Sequence, residues 1–222
     1  MTMNVIMERV NLVCKNVRKV NETPITFKKL IGSIRREFKR ADIDLKIKTQ
    51  KDRDLEPNSF YVNAFYDPED DQNLETPVEV LIHHSFAQDD LFYEQQITEF
   101  LVQIYDAVVH ELRHQQQSRS RNYRIYSDLS PEPFSKYLAD PDELDAYSVS
   151  IAIELLRAMP VHRANKYMTR MAILSKLKRQ TNLVSPNLRA YVQHFNNNAL
   201  LKRLAKKVYK HLNSLDSRQI FR

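Results

Sequence analysis

Glycine is almost missing from these 222 residues, with Gly32 the single example. A Gly-rich loop whose backbone amides wrap a phosphate cannot be assembled from such a chain, which excludes the common nucleotide-binding designs. Cysteine is equally scarce. Cys14 stands alone, so no internal disulfide can form, and a closed structural zinc site built on thiolates has no set of ligands to draw on. That usage points to a reducing compartment. No apolar run approaches the roughly 20 residues that a membrane span requires. Met1–Val20 scatters Glu8, Arg9, Lys15, Arg18 and Lys19 among its apolar residues, unlike a secretory leader. A cytoplasmic location is the expectation.

Acidic residues are scarce only at one end. Val161–Arg222 carries fourteen Lys and Arg against the single acid Asp216, a balance of +13; with the whole chain at +6, residues 1–160 stand at −7. This division suggests two parts: a domain over 1–160 and a basic helical extension over 161–222. Within the extension, Leu201, Leu204, Val208, Leu212 and Leu215 recur at helical spacing, while Lys202, Arg203, Lys206, Lys207 and Lys210 crowd the other side. Such a face could meet nucleic acid phosphates or an acidic protein partner, although a charge run of this kind is more often the solvated side of a packed helix. Asn196-Asn197-Asn198 marks a break before it.

Chemistry concentrates at His110-Glu111-Leu112-Arg113-His114. Four residues make just over one helical turn, so both imidazoles stand on one face at a separation a single metal bridges. In this HExxH arrangement the carboxylate, here Glu111, serves as the general base toward a water on zinc. Ile97, Leu101, Ile104, Val108 and Leu112 form an apolar stripe at steps of three and four, which predicts a helix from about Gln95 to Gln117. His110 and His114 lie off that stripe, with Asp106 one turn earlier on their side.

A catalytic zinc takes three protein ligands and keeps a fourth position for water. The best-placed third donor is Glu143, in the segment Asp140-Pro141-Asp142-Glu143-Leu144-Asp145-Ala146-Tyr147. Asp140 is a natural cap, Pro141 suits a first helical turn, and the apolar positions that follow carry a helix to about Ala158, ended by Pro160. Asp140, Asp142 and Asp145 are rival donors. Asp145 and Asp106 are candidates to accept the outer N–H of a ligating imidazole. Tyr147, one turn after Glu143, is a candidate oxyanion donor, with Tyr123, Tyr126 and Tyr137 as alternatives.

The pentapeptide, followed by a loop and a helical Glu with Ala and an aromatic residue behind it, resembles the glutamate-liganded branch of the zincin metallopeptidases. The resemblance covers roughly residues 60–159 and is firm at the pentapeptide. It implies zinc on His110, His114 and Glu143, Glu111 as general base, and a peptide or protein substrate. The chain departs from the pattern where relatives place a supporting acid one turn after the ligand; here that position is Tyr147. A looser resemblance links it to small HExxH proteins of bacteriophage genomes, which would make it a virion component or a host-directed factor.

The remaining pattern reads as α+β. Phe27, Leu30, Ile31, Ile34 and Phe38 predict a helix ending near Asp42, and strands are expected over Leu45–Lys48, Ser59–Phe65 and Pro77–His83, with a polar turn at Asp67–Asp71. A helix, a small sheet, the motif helix and a ligand helix match the order of a minimal zincin-like domain. The resemblance further implies an edge strand that grips an extended peptide by backbone hydrogen bonds, and Pro77–Ser85 is the candidate for it. His83 and His84, adjacent on a strand, must face opposite ways and cannot share one metal. His162, His194 and His211 are isolated among polar and basic residues and take no metal role.

The leading expectation is therefore a zinc peptidase. Its rivals are a zincin-like scaffold that binds an acidic partner through the basic helices, and a nucleic-acid binder with structural zinc.

Overall fold

A computed structural model describes residues 2–20, 23–124, 134–173, 183–195 and 198–222. The chain is mixed α+β and divides into two units. One comprises residues 1–123 with Phe221–Arg222, the other residues 124–220. The division expected at Pro160 falls inside the second unit, between two of its helices.

In the first unit, α1 (Met3–Val20) buries Met7, Val10, Val13, Cys14 and Val17 along one side. Helix α2 (Phe27–Arg40) starts where the Thr26 hydroxyl accepts the Lys29 amide, and Phe27, Leu30, Ile31, Ile34 and Phe38 are all buried, as their spacing requires. Strands β2 (Lys46–Lys51), β3 (Phe60–Tyr66) and β4 (Val78–His84) form a sheet in the order β2-β4-β3, with β2 parallel and β3 antiparallel to β4. The short pair β1 (Ile25–Thr26) and β5 (Leu91–Phe92) is antiparallel. Val78, Val80, Ile82 and His84 are buried along β4 at a period of two.

This topology overturns the expectation for Pro77–Ser85. β4 is the central strand, its backbone hydrogen-bonded on both sides, so it has no free edge to offer a peptide. The Asp67–Asp71 turn is instead a short helix, α3 (Pro68–Gln72), because Asp67 caps the amides of Glu69 and Asp70 and Pro68 presets the first turn.

Helix α4 (Glu94–Ser120) packs on α1 and on the β3 and β4 side of the sheet. Its stripe Ile97, Leu101, Ile104, Val108 and Leu112 is buried in full. Around its first turns Phe27, Phe60, Phe86, Phe92 and Phe100 form an aromatic cluster with centroid separations of 4.6 to 6.3 Å.

The second unit is helical: α5 (Phe134–Ala139), α6 (Pro141–Ala158), α7 (Val161–Ile173), α8 (Pro186–His194) and α9 (Asn198–Ser214). Helix α9 packs on α6 and α7 through Leu204, Val208 and Leu212, which are buried, with Leu201 and Leu215 half-buried at the margins. Asn196 and Asn197 lie outside the described residues. Among the described residues no helix is long and apolar enough to cross a membrane.

Candidate metal centre

α4 carries His110, Glu111 and His114 within its C-terminal half, inside the continuous helix, where the backbone hydrogen bonds fix the directions in which the side chains leave. The ring nitrogens converge: Nε2 of His114 lies 3.2 Å from Nε2 of His110, with the rings tilted at 72°. The helix thus presents two imidazole nitrogens to one point. Glu111, next to His110, is buried at 8 % exposure. Asp106 is half-buried one turn before His110.

The last turns of α4 are fastened by a feature the sequence reading did not single out. Asp71 of α3 is 3 % exposed. Its carboxylate accepts from Tyr66 Oη at 3.0 Å, Gln115 Nε2 at 3.0 Å, and Arg119 Nε at 2.9 Å and Nη2 at 2.6 Å. Burial alone would raise the Asp71 carboxyl; the bonds from Arg119 and Tyr66 outweigh it and hold the group below the ordinary 3.8. Burial pushes the Tyr66 phenol well up, so it stays a proton donor. Gln115 directly follows His114, and this anchor therefore fixes the stretch of α4 that carries the second imidazole. The sequence clue was the spacing of Gln115 and Arg119 by one turn, opposite an acid too short to show periodicity of its own.

The acidic candidates near the start of α6 separate by their partners. Asp140 is the N-cap: its Oδ1 accepts the amides of Asp142 at 2.8 Å and Glu143 at 3.4 Å. Asp145 accepts from Lys207 Nζ of α9 at 2.6 Å, with His211 Nε2 at 3.8 Å. Asp142 is half-buried and Glu143 is buried at 6 % exposure. Glu143 remains the candidate that the sequence offers as a third donor beside the two imidazoles of α4. Two neutral imidazoles and one carboxylate are a donor set that suits a borderline divalent ion.

Tyr147 is half-buried, its ring edge-on to Tyr191 at 5.6 Å. Tyr123 has a positive φ of 59° just past the end of α4, Tyr137 lies in α5, and Tyr126 falls outside the described residues. His83 and His84 do face opposite ways. His84 is buried 4.3 Å from the Phe27 ring, where burial lowers its pKa, and His83 stacks on Tyr61 at 4.4 Å. On α9, Lys202, Arg203, Lys206 and Lys210 are exposed, whereas Lys207 is held by Asp145.

No protein-family model, curated protein or solved structure matches the chain.

Proposed function

We propose that this protein is a zinc-dependent peptidase of the glutamate-liganded zincin kind, with His110, His114 and Glu143 as metal ligands and Glu111 as the general base. The observation that carries this reading is the convergence of the His110 and His114 ring nitrogens on one point beside α4, next to the buried Glu111. Two nitrogens about 2.0–2.1 Å from a tetrahedral zinc stand about 3.3–3.4 Å apart, and the imidazole nitrogens are already 3.2 Å apart. Three ligands leave one position open, the pattern of catalytic rather than structural zinc.

Zinc held there supplies Lewis acidity, polarising a peptide carbonyl and acidifying a water at its open position. The chain's own residues do the rest. Glu111 takes the proton of the attacking water on its carboxylate and delivers it to the leaving amine. His110 and His114 stand on a formed helix, so their backbone is already ordered when a metal binds. Asp106 is the candidate to accept an imidazole N–H, and the Tyr147 phenol is the candidate donor to an oxyanion.

The test is Glu111→Gln. The variant keeps zinc, measured by metal analysis, and loses hydrolysis of unfolded and basic peptides by about 100-fold or more. A variant that cuts at full rate removes Glu111 from the mechanism, and a wild-type chain that binds no zinc removes the reading altogether.

The exposed cations of α9 support a second reading, a scaffold or virion assembly protein that holds an acidic partner or nucleic acid. Bound zinc without turnover, together with retardation of nucleic acid that weakens steeply with salt, would favour it.

A further inference from the structure

Hydrophobicity alone does not fix the rotation of α6 about its axis. Its buried apolar positions run from Ile151 through Leu144, Ala152 and Val149 to Ala146, an arc of about 220° at 100° per residue. That is about twice the stripe an amphipathic helix needs, so a one-residue rotation would leave most of the apolar surface covered. Asp145 sits in the middle of this arc with its side chain 14 % exposed. There it meets Lys207 Nζ at 2.6 Å and His211 Nε2 at 3.8 Å, two groups one turn apart on α9. Rotation of α6 would strand the carboxylate among apolar neighbours, an expensive state. A half-buried ion pair of this kind specifies register, which the apolar contacts leave loose.

Glu143 precedes Asp145 by two residues, so it leaves the helix about 200° away, on the opposite side. We propose that Lys207 is a positioning residue: by holding Asp145 against α9 it sets the side of α6 from which Glu143 projects. This rests on the reading of Glu143 as a metal ligand. It also assigns Lys207 a task distinct from that of Lys202, Arg203, Lys206 and Lys210, which remain solvent-facing.

Cobalt(II) titration of the full chain, followed by the visible d–d absorption, tests the proposal without any substrate. Lys207→Met is expected to weaken cobalt binding about 10- to 100-fold and to alter the absorption band. Lys207→Arg restores both, and Lys202→Met, on the exposed side of the same helix, changes neither. Asp145→Asn, which keeps the side-chain shape, reproduces the loss should Lys207→Met fold poorly. In a Glu143→Ala background, Lys207→Met has no further effect. Wild-type affinity and spectrum in both Lys207→Met and Asp145→Asn would overturn the proposal, as would an equal loss in the Glu143→Ala background. A Glu143→Ala protein that binds cobalt as the wild type does points elsewhere: it removes Glu143 from the ligand set and with it the reading on which the proposal stands.

Discussion

Replacing Asp71 with Asn probes the anchor beneath the second imidazole. The native carboxylate accepts four hydrogen bonds, two from Arg119 and one each from Tyr66 and Gln115. A neutral bond contributes about 1 kcal/mol net and one to a charged group about 1.5–3 kcal/mol. The Asp71 side chain is 2 % exposed but that of Arg119 is 56 % exposed, so the released guanidinium regains water and much of its share is recovered. The amide of Asn turns a donor toward donors and keeps one acceptor. A net cost of about 2–3 kcal/mol follows, to be read as a lowered urea midpoint with tyrosine fluorescence as the probe. The pH dependence gives a second check. The folded-state pKa of Asp71 lies below its ordinary 3.8, so its stabilisation is complete above that value and fades as pH falls through the folded pKa. The two proteins should differ at pH 7 and converge in acid. A cost under about 0.5 kcal/mol at pH 7, the range of an ordinary surface change, or a difference that persists unchanged into acid, would refute the reasoning.

Phe100→Ala empties the centre of the aromatic cluster, where the ring is fully buried against Phe27, Phe60 and Phe92; a loss of about 3–5 kcal/mol is expected by denaturant titration. Burial lowers the His84 pKa below 6.5, so the folded state resists protonation and the stability tied to neutral His84 is lost as pH falls below that value. His84→Phe should flatten this part of the stability-pH profile; an unchanged slope between pH 7 and 5 would count against it. Zinc at a hundred times its dissociation constant should stabilise the fold by about 2.7 kcal/mol, read as a raised melting temperature that a chelator reverses, whereas His114→Ala should respond to neither.

Much of the fold was legible because local rules and tertiary burial agree. The stripes of α2 and α4 are buried residue for residue, and α6 begins at Pro141 under an Asp140 cap as the side-chain chemistry demands. The opposite orientations of His83 and His84 follow from strand geometry alone. The helical form of α3 was masked by its acidic, turn-like composition, and the central place of β4 was not legible at all, since strand order depends on which edges pair and not on any one strand's pattern.

By itself the sequence determined that two imidazoles share one helical face with a carboxylate beside them, because a spacing of four is a property of the helix and needs no partner. At the start of α6 the cap at Asp140 was legible from local chemistry, whereas the pairing of Asp145 with α9 was decided by tertiary structure. Composition treats Asp140, Asp142, Glu143 and Asp145 alike, but the first-turn amides of α6 engage Asp140 Oδ1, and the Lys207 ammonium engages Asp145 Oδ1 only once α6 has met α9. The anchor at Asp71 has the same origin: a buried charge is tolerable only where donors from distant parts of the chain arrive together, and no local pattern records their arrival.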